Sequence, residues 1–297
     1  MLRSDHLLME RSIRNRIVVA LLFACLAGAA ASAKQDGGDF GVSLRQAREL
    51  LTHGTAYPPS NSEVLYPLPA VLIALPLAKL PLALGGAIFF GLSVGLLAFA
   101  LTRDGWWRLW VFTAFPFVSA IIAVQWSPLL MASVFFPAIG GLAFKPQIGI
   151  PCAIRSRSWT AIWSAVLILL ASITLIPDWP LIWIRHTNGY VHYSPLFFGA
   201  GFLMLIGVIW LRDSDWQFLL TMAAVPQRFF YDSFPLWLIP NTVGEIAFMS
   251  VCSWISFAYL FRIMPHESFQ QVWHCCVLFG YIPAFLILVR RRLKKVV

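Results

Sequence analysis

The sequence predicts an all-α protein, a polytopic bundle of transmembrane helices with about ten membrane crossings and several broken or re-entrant helices. Three observations predict it. Of the 297 residues, 59% are hydrophobic and only 12% are charged, against about 25% charged in an ordinary soluble domain. The apolar residues fall in long runs, and a lipid-solvated chain must be helical wherever it crosses, with an apolar outer face. The 13 Trp suit a chain that meets the membrane–water interface many times. The chain reads as a single integral membrane domain, 1–297, with almost no soluble part.

The first run, 17–33, is long enough to span with some thinning of the bilayer. A basic start, an apolar stretch over 17–31 and the small residues Ala31, Ser32 and Ala33 also have the form of a cleavable signal. The embedding of the rest of the chain favours an uncleaved first helix. The polar stretch 34–66 follows. Within it, 40–51 reads as a short amphipathic helix lying at the interface, with Val42, Leu44, Ala47, Leu50 and Leu51 on its apolar side and Arg45, Arg48 and Glu49 on its polar side. Pro58, Pro59 and Pro67 then interrupt helical structure. Further apolar runs cover 67–84, 85–101, 109–124, 128–144, 160–176, 196–211, 216–225, 234–239, 246–261 and 272–289. Several are shorter than a full span or carry an internal proline, which gives the expectation of half-helices shielded by protein.

The formal charge of +9 is spread over short clusters between those runs: Arg11, Arg14 and Arg16; Arg103 and Arg108; Arg155 and Arg157; and Arg290, Arg291, Arg292, Lys294 and Lys295. A nucleic-acid binder would gather its charge on one exposed face, so no nucleic-acid partner is expected. The clusters instead follow the positive-inside rule. They place both termini, 155–157 and the basic tail 290–297 in the cytoplasm of a cell-membrane protein, and 34–66, 178–195 and 226–233 outside. The number of crossings between 67 and 154 must then be odd, and three or five both satisfy it. The tail is a cytoplasmic stop and a candidate contact for anionic lipid. The five cysteines, Cys25, Cys152, Cys252, Cys275 and Cys276, all lie in apolar runs. They read as small buried residues rather than as a metal or disulfide framework. No Walker loop, HExxH, GxSxG or zinc spacing is present, so neither an ATP-driven pump nor a metalloprotease is supported, and no cofactor or metal is expected.

Polar residues inside or beside membrane segments are costly and are candidate functional groups for that reason. Asp39, in Asp36-Gly37-Gly38-Asp39-Phe40 just after the first run, would lose hydration at an interface. Its pKa would rise from about 3.9, toward a value useful for a general base; the other reading is an N-cap for the following helix. Lys145, in Lys145-Pro146-Gln147, would cost roughly 2.5–3.5 kcal/mol near the bilayer centre. It must therefore meet an anion such as a phosphate, or snorkel to the interface. The outer loop 178–195 carries Trp179, Trp183, Arg185, His186, Asn188, Tyr190, His192 and Tyr193. These suit a sugar, with Arg185 and His186 suited to a phosphate, or they form an aromatic belt. Arg228 and Asp232 are four apart and form either a helical ion pair or a second charged edge of the same cavity.

Taken in order, these residues resemble the GT-C membrane glycosyltransferases, and most of all the family 87 polyprenyl-phosphate-mannose-dependent mannosyltransferases. The string that carries the likeness is Asp39-Phe40, the stretch Ala47-Arg48-Glu49-Leu50-Leu51-Thr52-His53-Gly54, Tyr57, Tyr66-Pro67-Leu68-Pro69 and 75–81. It continues in Val124-Gln125-Trp126-Ser127-Pro128, similar to a Gly-Gln turn with Val124 in the Gly place, and in Lys145-Pro146-Gln147, similar to a Lys-Pro turn. Coverage is good over 17–177, and the chain is short for a GT-C enzyme. The resemblance implies an inverting hexosyltransferase acting on the non-cytoplasmic side. Its donor would be a polyprenyl-phosphate sugar carrying a mannose-like hexose, and its acceptor a lipid or glycan. Asp39 would be the general base, and Gln125, Lys145 and Gln147 would bind substrate at the family's turns. Arg185, His186, Arg228 and Asp232 complete the candidate binding set on the reading of the residues themselves. Two other classes stay open: a multi-pass transporter or flippase for a lipid-linked or small polar solute, for which no internal repeat is visible, and a non-catalytic membrane partner on a GT-C-like scaffold.

Overall fold

The computed structural model describes residues 2–58, 65–187, 191–263 and 268–296. Among them the chain is mostly helical, and its one β feature is an isolated antiparallel bridge between Tyr193 and Gln227. Helix α1 (Leu2–Ala31) is followed by α2 (Gly38–His53), the short α3 (Leu68–Ala74) and the 20-residue α4 (Leu82–Leu101). Next come α5 (Phe115–Ala123), α6 (Ser127–Ser133), α7 (Pro146–Ser156), α8 (Trp159–Leu175) and α9 (Trp179–Thr187). The chain closes with α10 (Ser214–Ala224), α11 (Val243–Ala258), α12 (Phe269–Cys276) and α13 (Ile282–Val296).

Helix ends are marked by local chemistry. Helix α2 starts after Gly37 and ends at Gly54, whose N–H returns to the Leu50 carbonyl at 3.1 Å, an αL cap that satisfies an orphan carbonyl. Prolines open α3, α5, α6 and α7 at their first positions, where a missing N–H costs nothing. Ser158, Thr242 and Ser268 cap α8, α11 and α12 through their hydroxyls.

Four helical stretches among the described residues are long and apolar enough to cross a membrane: Ser12–Ala31, Leu82–Leu101, Val243–Arg262 and Phe269–Lys294. Two bent pairs raise this to six if each is one broken span. The 3₁₀ segment Trp106–Thr113 meets α5 at 66°, and α8 meets α9 at 102°. These are fewer than the ten or so crossings suggested by apolar length alone. The reason is local: run 67–84 breaks at Pro76 into α3 and a 3₁₀ turn, and run 128–144 breaks into α6 and the 3₁₀ turns Pro137–Ile139 and Gly141–Ala143. The run 196–211 holds the 3₁₀ helix Gly199–Trp210, and all of 234–239 but its last residue lies inside the 3₁₀ segment Phe230–Leu238.

The outer surface suits lipid, with Leu92, Ile122, Phe197 and Ile209 all strongly exposed. Inside, α1 and α4 make the most intimate pair. Gly91 and Gly95 stand one turn apart on α4, and a Cβ on Gly91 would lie 2.6 Å from the Ala24 carbonyl. Small residues at this spacing let two spanning backbones touch. Cys152, Cys275 and Cys276 are buried as expected, whereas Cys25 is exposed and Cys252 half-buried; both sit on helix faces turned outward.

The basic clusters gather at one end of the bundle. Arg16 donates to the Phe99 carbonyl at 2.8 Å near the end of α4. Arg108 donates to the Pro240 carbonyl, and Arg155 pairs with Asp215, which also binds Arg291 at 3.1 Å. Helix α7 runs from Lys145 at its head to this basic end at Arg155, so Lys145 lies about 15 Å away along the helix axis.

Candidate active site

The site forms where the head of α2 meets the turn between α5 and α6. Gly37 and Gly38 take left-handed backbone angles (φ 73° and 56°). A Cβ on Gly38 would lie 2.4 Å from the Ala123 carbonyl, so only glycine lets α2 approach this closely. Phe40 seals the contact: its N–H donates to the Val124 carbonyl at 3.3 Å, and its ring stacks on Phe89 with centroids 3.7 Å apart. Trp126 closes on both rings.

Val124 is itself left-handed (φ 48°) and fully buried. A β-branched residue is rare there. The conformation that glycine would take without strain is thus kept, and it turns Gln125 toward α2. Gln125 is fully buried, and its Nε2 donates to Asp39 Oδ2. The Tyr66 hydroxyl donates to the same oxygen at 3.3 Å.

Asp39 is therefore not the N-cap of α2. Gly37 occupies that position, and it is Asp36 that closes the preceding turn by accepting from the Gly38 N–H at 2.9 Å. That bond holds the Asp36 carboxyl below its ordinary range. The Asp39 carboxyl moves the other way. Burial pushes it up, opposed by the charge of Lys145 and the Gln125 hydrogen bond and reinforced by Asp232.

Lys145 immediately precedes α7 and is 5% exposed. Its Nζ donates to Gln125 Oε1 at 3.1 Å and to Asp232 Oδ1 at 2.7 Å. The anion that it requires is supplied by the protein itself, and the ammonium does not snorkel. Asp232, 1% exposed, also accepts from the Arg228 backbone N–H at 2.9 Å. Arg228 thus meets Asp232 through its main chain, from just before the 3₁₀ segment Phe230–Leu238 that holds Asp232. Its guanidinium lies 5.8 Å from the Phe269 ring centroid. A continuous chain results: Tyr66, Asp39, Gln125, Lys145, Asp232.

A cavity of about 420 Å³ opens beside this chain. Its polar edge includes Tyr66, Lys145, Gln147, Thr187 and His192, and Leu65, Phe144 and Ile150 supply apolar wall. Trp183 also lines it, with the indole N–H donated to the Leu65 carbonyl at 2.9 Å. Asp39 is half-buried next to Tyr66 and is not itself among the residues lining the cavity.

The expected residues divide as follows. Asp39, Gln125, Lys145 and Asp232 come together in one network, with Gln147 at the cavity beside it. Arg185 and His186 lie on α9 but do not line that cavity, and Arg185 is exposed. The Trp179 N–H is spent on Ser172 Oγ at 3.1 Å, and Tyr193 is buried in a stack on Trp273. Asn188 and Tyr190 lie outside the described residues, as does Pro59. The expected interfacial helix is present as α2, but Phe40, Ser43, Leu44, Gln46 and Ala47 are buried against protein while Leu51 is 56% exposed. Arg48 is spent on the Ala78 and Leu80 carbonyls. The parts that sequence reasoning missed are the Tyr66–Asp39 contact and the Lys145–Asp232 pair. The available signal for the second was that two opposite charges in apolar surroundings each need a partner.

No protein-family model matches the chain, and no curated protein or solved structure is similar enough to count as a match.

Proposed function

We propose that the protein is a membrane glycosyltransferase of GT-C type, moving a hexose from a polyprenyl-phosphate donor to a lipid or glycan acceptor on the non-cytoplasmic side of a cell membrane. One observation supports this reading most: a carboxylate held above its ordinary pKa at the head of α2 is wired through Gln125 to a lysine that lines a largely apolar cavity. A base of raised pKa takes a hydroxyl proton more effectively near neutral pH. Asp39 would accept the proton of the acceptor hydroxyl as that oxygen bonds to the anomeric carbon from the face opposite the leaving group. The anomeric C–O bond breaks with its electron pair going to polyprenyl phosphate, and the Asp39 proton is then released to solvent. The apolar wall suits the start of a prenyl chain. With Lys145 balanced by Asp232, the lysine orients Gln125 and Asp39 and adds only part of a charge to the leaving phosphate.

A second reading, a multi-pass transporter or flippase, draws on the same buried Lys145–Asp232 pair, because intramembrane ion pairs also mark transport pathways. The two readings separate in one experiment. The purified protein in liposomes is given labelled polyprenyl-phosphate sugars and candidate acceptor lipids. The glycosyltransferase reading expects a new glycolipid with inverted anomeric configuration. Labelled donor that crosses the bilayer with no new glycosidic product would overturn it in favour of transport.

A further inference from the structure

At the basic end of the bundle, far from the candidate active site, α11 and α13 enclose a groove of about 410 Å³. Phe248, Leu286, Val289 and Leu293 make it apolar, and Glu245 and Arg290 stand at its polar edge. The tail that borders the groove carries five cations between 290 and 295, but they are not equivalent. Arg291 is consumed by Asp215 at 3.1 Å and by Glu245, and it also donates to the Ile239 carbonyl at 2.9 Å. Arg292 is consumed by Asp213. Among the described residues Arg290 and Lys294 have no acidic partner, and both are exposed.

The positions of these two follow from helical geometry. Leu286, Arg290 and Leu293 are spaced four and three apart on α13, and Lys294 is one turn beyond Arg290, so they share a face. Along that face the residues pass from Leu286, in the apolar part of the candidate span Phe269–Lys294, to two cations at its end. Arg290 stands about 6 Å beyond Leu286 along the axis and Lys294 about 6 Å farther. This is the order of a phospholipid, with acyl chain first and phosphate next. The one carboxylate at the groove, Glu245, is neutralised by Arg291, so it offers an anionic headgroup little repulsion.

We infer that this groove is a binding site for one anionic phospholipid of the leaflet into which the C-terminal end of α13 points, with an acyl chain along Phe248, Leu286 and Leu293 and the phosphate held by Arg290 and Lys294. The pairing of Arg291 and Arg292 makes the tail selective: two of its cations read the lipid and two hold the bundle together.

The test uses the full-length protein in detergent and measures retained lipid by native mass spectrometry, with phosphatidylglycerol and phosphatidylcholine of the same acyl chains as probes. Phosphatidylglycerol should be retained preferentially. The double variant Arg290→Gln/Lys294→Gln should lower its retention about 30-fold, from roughly fivefold per basic residue near an anionic surface, and leave phosphatidylcholine unchanged. Filling the groove with Leu286→Trp should lower the retention of both lipids. The exposed Arg103, also at the basic end, serves as control, and Arg103→Gln should change nothing. Equal retention of the two lipids by the wild type would overturn the site. So would undiminished phosphatidylglycerol in the double variant, or a loss of the same size in Arg103→Gln. Thermal unfolding of each variant without added lipid should match the wild type; a double variant that unfolds earlier would instead make these cations structural and overturn the assignment.

Discussion

Lys145 and Asp232, 87 residues apart in sequence, form a buried ion pair at 2.7 Å that joins the head of α7 to the 3₁₀ segment Phe230–Leu238. Because Lys145 also bonds Gln125, and Gln125 bonds Asp39, this pair fixes the geometry of the carboxylate in the first turn of α2.

Removing one partner leaves the other charged, buried and uncompensated, at a cost of about 3–5 kcal/mol. Lys145→Met should therefore lower the thermal unfolding midpoint in detergent sharply. Lys145→Met combined with Asp232→Leu should recover most of the loss, since an apolar pair of similar volume replaces the ions. A double variant as unstable as the single one would show that the pair is not the source of the effect.

The raised pKa of Asp39 gives a signed pH prediction. The folded state binds this proton at pH values where the unfolded chain has lost it, so the Asp39 contribution to stability falls as pH rises from about 4 through its raised value. Asp39→Asn should remove that component of the pH dependence. On the proposed function, sugar transfer needs the charged carboxylate and should rise through the same window. Tyr66→Phe removes a hydrogen bond that favours the charged form, so its pH–rate limb should move upward by a measurable fraction of a unit.

Val124 tests the turn. Its left-handed backbone stores about 1–3 kcal/mol of strain, while its buried side chain contributes a similar amount. Val124→Gly should thus shift stability by no more than about 1 kcal/mol, because the two effects offset. Val94→Gly, at an equally buried but helical position in α4, should cost about 2 kcal/mol or more from the cavity and from glycine in a helix. Chemical or thermal unfolding of the two variants side by side measures the difference.

The α1–α4 contact tests the packing. Gly91→Leu puts a side chain against the Ala24 backbone, which has no freedom to yield. A loss of about 1–3 kcal/mol from overpacking is expected, whereas the lipid-facing Leu92→Ala, one residue on and 66% exposed, should change stability little. Equal effects at the two positions would place α1 elsewhere.

Composition and charge pattern made the helical membrane class legible, because lipid admits few other architectures and leaves a large compositional mark. Crossing number was less legible. Pro76 and Gly140 interrupt runs whose hydropathy is continuous, so apolar length runs ahead of the four to six candidate spans found among the described residues. Asp39, Gln125, Lys145 and Asp232 each stood out as polar residues in apolar surroundings, but their pairing was not readable: the Lys145–Asp232 contact depends on where α7 and the 3₁₀ segment meet in space. Arg185 and His186 were expected at the site by their chemistry alone, and the 102° bend between α8 and α9 presents Trp183 and Thr187 to the cavity instead.

The most direct test of the account compares sugar transfer by the purified wild type with that of Asp39→Asn and Asp39→Ala, each first shown to unfold cooperatively in detergent. The account predicts glycolipid product from the wild type and a loss of at least about a hundredfold in both variants, the scale of removing a general base. Full product formation by folded Asp39→Ala would contradict it.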